Sequence, residues 1–379
     1  MTKTDISVIC PLYRGQKYIG SVLEMLYRNQ HKLTEAGAAK VTEVIFVNDY
    51  PQEKISLPQS QREDVRLKLL EPGRNQGIHR SRVLGAEQAE GEYILFLDQD
   101  DRIHEDYFKR QLFYIDGKAA ALCNGYYQNS RIIYSSREEQ ENAACLSEYL
   151  KQKDVIISPG QVLLRADSIP REWRHNCLSQ NGSDDVLLWI LMLGSNHGFA
   201  INEEKLFWHL ESDTNASYQF EKMKQSIQEL LARVLGLDCL SAEQKEVFRG
   251  ATERRLARYD QYASLQKTLD NLAEESNLSS LRKYIGNRHT AVYGWGILGR
   301  EFWKMARRAG IDISFAIDAG KDAFMEPEVP LYKPQEDLPQ ADILIVTPVT
   351  GFQEIKALLQ RKCQAEIVSL SAFLERIGT

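Results

Sequence analysis

Three carboxylates, Asp98, Asp100 and Asp101, follow directly on the apolar run Tyr93-Ile-Leu-Phe-Leu97. Acids cannot be buried unpaired, so this group needs a metal ion, a cation or water. Carboxylate oxygens are donors for a hard cation; a solvated Asp turn closing the strand is the plainer alternative. A second acidic pair, Asp184-Asp185, opens the helical stretch Gly182 to Leu193. Acids at a helix start are favoured by the helix dipole, so capping is one reading of them and proton transfer the other. Arg82 carries a guanidinium fork that fits either a diphosphate or a pair of carboxylates. Further along, Gly294-Trp-Gly296-Ile-Leu-Gly299 follows a strand and opens a helix, and Asp318 ends the next strand. That is the layout of a dinucleotide-binding turn, in which glycines let backbone approach a pyrophosphate.

The elements that must position these groups can be read from periodicity. Ile6 to Cys10 is a strand ending at Pro11-Leu12-Tyr13, and apolar residues at Ile19, Val22, Leu23, Leu26 and Tyr27 predict a helix over 16–30. Strands follow at 44–47, stopping at Asn48-Asp49-Tyr50-Pro51, and at 65–70; a helix over 77–89 and the strand 93–97 complete the series. This alternation predicts a parallel sheet with helical crossovers, with the acids at a strand's carboxyl end, where open α/β sheets bind ligands. Residues 102–175 are less regular, and 217–284 turn polar and helical. From about 287 a new βαβ pattern begins. The expected domains are therefore 1–217, a helical connecting region 218–286, and a small Rossmann-like α/β domain 287–379.

Composition narrows the class. A balance of 47 basic against 53 acidic residues, net −6, argues against a nucleic-acid partner. The longest apolar run, Val186 to Leu193, falls far short of the ~18 residues of a membrane span. Six scattered cysteines without a CxxC pair fit a reducing compartment, and no leader peptide precedes the first strand, so a cytoplasmic protein is expected. Arg249, Arg254, Arg255 and Arg258 read as a solvated helix face, with peripheral contact to an anionic membrane as the alternative. A homo-oligomer stays open.

The N-terminal half resembles glycosyltransferase family 2, inverting enzymes of the GT-A fold that use nucleotide-sugar donors. The resemblance rests on Ser7-Val-Ile-Cys-Pro-Leu-Tyr13, Val47-Asn-Asp49, Asn75-x-Gly77 with Ser81-Arg82-x-x-Gly85, Gly91 to Asp101, and Asp184-Asp185-x-x-Leu188-Trp189, in the family's order over residues 5–217. It implies a mostly parallel sheet flanked by helices and a donor site formed by Pro11, Tyr13, Asn48, Asp49, Arg82, Asp98 and Gln99. Asn48 replaces the usual acid, and Asp184 the usual Glu. By the same resemblance Asp100 and Asp98 would hold the cation, His209 would be a third metal ligand or a diphosphate donor, and Asp185, with Asp184 as alternate, would be the general base. His209 is followed by Asn215 and Ser217 at a longer spacing than the family's. His79 and Arg80 are expected at the surface.

The expected function is metal-dependent transfer of a sugar from a nucleotide-sugar donor, a UDP-sugar, to a glycan or lipid-linked acceptor in surface polysaccharide synthesis. Two alternatives remain at this level. One is a non-catalytic nucleotide or dinucleotide sensor; the other is an NAD-dependent oxidoreductase centred on Gly294, Gly296, Gly299 and Asp318.

Overall fold

The computed structural model describes residues 4–37, 41–58, 64–210, 220–272, 275–321 and 327–377. They form two compact units, Met1–Glu253 and Arg254–Thr379.

The first unit is a mixed α/β layer structure around one eight-stranded sheet. Its strands are β1 (Thr4–Leu12), β2 (Val41–Asn48), β3 (Val65–Leu70), β4 (Tyr93–Phe96), β5 (Arg102–Ile103), β6 (Ala120–Tyr127), β7 (Val162–Arg165) and β8 (Phe199–His209). In space they run β3-β2-β1-β4-β7-β6-β8-β5. The half β3-β2-β1-β4 is wholly parallel. Its interior strands are apolar on both sides, and Val8, Ile9, Val44, Ile45, Phe46 and Leu95 are completely buried. The other half departs from a parallel sheet: β7 lies antiparallel between β4 and β6, and β5 antiparallel on β8. Strand β8 is hidden in the sequence because Asn202-Glu-Glu-Lys205 interrupts any alternation, although it pairs along the length of β6.

From β1 the chain goes first to β2 and β3 on one side and later to β4 on the other. The strand order therefore reverses between β1 and β4. The carboxyl ends of those two strands flank the crevice in which such sheets bind ligands. Tyr13 follows β1 and Asp98 follows β4.

The helix Ile78–Gln88 packs across β1 and β2. A Cβ on Gly85 would lie 2.4 Å from Ile9 Cγ2, so glycine there sets the closeness of helix to sheet. The amphipathic helix Phe220–Leu235 belongs with this unit, its Leu230 and Val234 in the same core as β1 and β4. The division at 253/254 falls within the helix Ala242–Leu272, inside the span 218–286 expected as the connecting region. A helix with an apolar face needs a core to cover it, and the first unit supplies one.

The second unit is a parallel five-stranded sheet: β9 (Thr290–Tyr293), β10 (Ile313–Ile317), β11 (Leu331–Tyr332), β12 (Ile343–Val346) and β13 (Glu366–Ser369), ordered β11-β10-β9-β12-β13. Val292 and Ile345 enter one apolar cluster, while Ala291, Leu344 and Val346 enter another. The sheet is thus covered on both faces, as an all-parallel sheet must be. Among the described residues no helix is long and apolar enough to cross a membrane.

Candidate active site

A cleft of about 750 Å³ opens at the carboxyl ends of β1 and β4. It gathers the segment after β1 (Pro11, Tyr13), Asp49 after β2, and the 75–82 stretch with Arg82. Asp98, Gln99 and Asp100 after β4 and the Asp184-Asp185 pair complete the wall anticipated from sequence.

Arg82 is the hub. It is buried in the 78–88 helix, and its guanidinium donates to Asp184 Oδ2 and to Asp98 Oδ1, each at 2.6 Å. Residues separated by 102 positions in sequence are so joined to the strand-end acids through one side chain. Burial disfavours the charged guanidinium, but the carboxylates of Asp184 and Asp98 outweigh it and hold Arg82 firmly charged. Burial likewise pushes Asp184 up, and Arg82 beside it pulls it back to a net lowering. Asp184 is therefore a buried anion, paired with Arg82 where it meets the cleft.

Asp185 differs from its neighbour. It is only half-buried on the cleft wall, where burial first and the charge of Asp184 second push its carboxyl up to about 7. A carboxylate with that affinity for protons is matched to taking one from a hydroxyl near neutral pH.

The base-side wall is held by backbone brackets. Gln99 accepts from the Tyr13 N–H and donates to the Tyr13 carbonyl, both at 3.1 Å, so the segment after β4 fixes the segment after β1. Tyr13 is exposed and meets Tyr50 edge-on at 5.0 Å between centroids, leaving an aromatic platform at the rim. Asp49 is buried, and its two oxygens accept from the Gln76 and Gly77 amides at 2.6 and 3.0 Å. It therefore shapes the loop entering the 78–88 helix. Gly77 takes φ of +82°, a backbone that only glycine adopts readily, and the Ile78 amide beyond it donates to Asn181 Oδ1.

Other expected residues stand elsewhere. Asn48 does not line the cleft; its side chain closes its own turn, donating to the Glu53 carbonyl and accepting from the Tyr50 amide. His209 is not on the cleft wall either. Its Nδ1 lies 3.0 Å from Asp101 Oδ1, and Asp101 also accepts from Ser158 Oγ at 2.6 Å and from the Leu210 amide. Asp101 is thus a buried anchor tying the end of β8 and the 158–161 turn to the strand-end acids, and burial pushes it up to about 6 against His209. Asn215 and Ser217 lie outside the described residues. His79, expected at the surface, is buried: its ring bridges the Trp173 carbonyl and the Leu178 amide, and Trp173 covers it. The helix needs that inward face to reach the segment leading to Asp184.

A divalent cation suits Asp98 and Asp100. Both carboxylates line the cleft, Arg82 engages only Oδ1 of Asp98, and hard oxygen donors with phosphate oxygens would complete such a shell. No cluster of three or more acidic, histidine or cysteine residues placed to hold a metal ion occurs among the described residues.

Sequence reasoning missed the wall formed by Ser179, Gln180, Asn181 and Gly182, and Lys222 from the 220–235 helix. Asn181-Gly182 is a turn dipeptide, the one available signal. Nothing in the sequence marks Lys222.

In the second unit, Gly294 has φ of +92°, and a Cβ on Gly299 would lie 2.0 Å from the Gly294 carbonyl oxygen. Asp318 accepts from the Trp295 and Gly320 amides, both at 2.7 Å, and Thr347 Oγ1 donates to the Gly294 carbonyl. The glycine turn is closed by the carboxylate that follows β10. Gly296 begins the helix Ile297–Arg308.

Residues 7–170 match the family model described as Glycosyl transferase family 2. Poly(ribitol-phosphate) beta-N-acetylglucosaminyltransferase TarS of Staphylococcus aureus is 32% identical over 112 residues, 29% of this chain and 18% of TarS. An uncharacterized glycosyltransferase of Haemophilus influenzae is 30% identical over 126 residues, 32% of this chain and 46% of that protein. These matches span less than half the length of either relative. The crystal structure of S. aureus TarS 1–349 in complex with UDP-GlcNAc superposes with a TM-score of 0.49 at 16% identity, over 81% of this chain and 82% of that one.

Proposed function

We propose, from the match of residues 7–170 to the glycosyltransferase family 2 model, that the chain transfers a sugar, with inversion, from a UDP-sugar to a hydroxyl of a glycan or lipid-linked acceptor. The relative TarS is by name a poly(ribitol-phosphate) beta-N-acetylglucosaminyltransferase, which supports a polymeric acceptor and surface polysaccharide synthesis as the setting. The observation that carries the reading is one cleft in which Arg82 joins the strand-end acid Asp98 to the Asp184-Asp185 pair.

In this reading the nucleoside lies at the Tyr13 rim, with its base against the aromatic ring and the loop that Asp49 shapes. Asp185 removes the proton from the acceptor hydroxyl as that oxygen attacks the anomeric carbon. The bond from that carbon to the diphosphate oxygen breaks on the opposite face, giving inversion. Asp98 and Asp100 would hold Mn2+ or Mg2+, whose charge would offset that of the departing diphosphate. Arg82 holds Asp98 in place, and it fixes Asp184 so that Asp185 is left facing the cleft.

A donor-hydrolysis screen tests the proposal, because transferases of this kind leak donor to water. One UDP-sugar should release UDP in the presence of Mn2+, and both Asp100→Ala and Asp185→Asn should abolish release with the fold intact. Failure of every nucleotide sugar to turn over or to raise the melting temperature would sink it.

A further inference from the structure

The cleft is acidic, yet its proposed ligand carries two phosphates. Asp49, Asp98, Asp100, Asp184 and Asp185 line it, against three cationic side chains, Arg14, Arg82 and Lys222. Arg82 is spent on Asp98 and Asp184. Arg14 lies over the Tyr13 and Tyr50 rings, 5.8 and 5.1 Å from their centroids. Lys222 alone of the three has neither a hydrogen bond nor an ion pair nor an aromatic ring beneath it among the described residues.

Its place is nevertheless well determined. Lys222 sits in the first turn of the 220–235 helix, and the residues beyond it clamp that helix to the loop leading into Asp184. Met223 Cε fills the space where a Cβ on Gly182 would stand, 2.5 Å away. Ser226 Oγ and Ser183 Oγ are 2.9 Å apart, and Glu229 accepts from both the amide and the hydroxyl of Ser179. The helix therefore places Lys222, an exposed residue of its first turn, on the wall that also bears Asp185. An ammonium on a flexible stem is a compact point charge, well suited to a phosphoryl oxygen.

Resting on the glycosyl-transfer reading, we propose that Lys222 binds a phosphoryl oxygen of the donor's diphosphate. It would give the leaving group a second cationic contact besides the cation at Asp98 and Asp100. A phosphate carried by the acceptor would offer the same chemistry, and the test separates the two sources.

The test is calorimetric titration of the full chain with UDP and with uridine, both in Mn2+, for the wild type, Lys222→Met and Lys222→Arg. Removing one charge-assisted hydrogen bond should weaken UDP binding by about tenfold or more. Uridine binding should stay unchanged, and arginine should largely restore the affinity for UDP. Unaltered UDP affinity in Lys222→Met overturns the assignment. Equal weakening of UDP and uridine overturns it too, because that is the mark of a structural role. A raised acceptor KM with unaltered UDP affinity moves the lysine to the acceptor and also overturns it. A wild-type chain that binds neither ligand would instead remove the transfer reading itself, and Lys222 with it.

Discussion

Asp185 makes the proposed chemistry readable by pH. Its carboxyl is raised to about 7 by burial and then by the charge of Asp184. If it is the base, the rate of donor turnover should climb with pH to a plateau, with an apparent pKa near 7 that belongs to the coupled pair. Asp184→Asn removes the neighbouring charge and leaves Arg82 paired with Asp98. Two unit charges roughly 6 Å apart at an effective dielectric of about 20 repel by about 3 kcal/mol, which is about two pKa units. The climb should therefore move down to about pH 5 in Asp184→Asn. Asp185→Asn should lose the climb and about 10²–10⁴-fold in rate. Stability moves the other way. A carboxyl raised above 3.8 in the folded state stabilises the fold below that value, and the contribution is lost as pH rises to about 7. This group therefore makes the protein less stable over the same interval in which the rate increases, so unfolding at Asp185 cannot mimic the limb. The assay is initial UDP release at saturating donor from pH 5 to 9, with circular dichroism at each point. A flat profile, a limb unmoved in Asp184→Asn, or near-normal turnover in Asp185→Asn would refute the assignment.

Three further outcomes follow from the geometry. Arg82→Ala leaves buried Asp184 without its cation and should cost about 3–5 kcal/mol of stability, read by urea unfolding; a loss below about 1 kcal/mol would show the pair to be dispensable. Gly85→Ala pushes a methyl to 2.4 Å from Ile9 and should cost about 1–3 kcal/mol, visible as a lowered melting temperature with the cleft chemistry intact. Chelation with EDTA should stop donor turnover, and Mn2+ or Mg2+ should restore it in the wild type but not in Asp100→Ala; full activity in EDTA would remove the cation from the mechanism.

The order of elements up to Asp101 was legible in sequence because each element there carries its own signal. The β1, β2 and β4 runs are mostly apolar, since they are buried in the core, and the turns after them hold Pro, Asn and Asp. Residues 102–210 were far less legible. Strand β8 is chosen by its partner β6 and not by an alternation of its own, and the antiparallel insertion of β7 depends on a neighbour, β4, far away in sequence. His79 shows the same limit at one residue: its helix position suggests the surface, but Trp173 and Leu178 cover it.

Residue types and local spacing were enough to single out the carboxylates after β4, the Asp184-Asp185 pair, Arg82 and the glycine turn of the second unit. Only the tertiary structure decided how they pair. Which acid pairs with Arg82 and which faces the cleft depends on the direction of two adjacent side chains at a helix start, and that is set by packing. Asp49 turned out to hold a loop, Asp101 to anchor His209, and Lys222 to join the wall, because hydrogen-bond partners and charge neighbours arrive from segments that share no local pattern. A pKa is likewise a property of surroundings: Asp184 and Asp185 are the same residue type side by side, moved apart by burial and by one guanidinium.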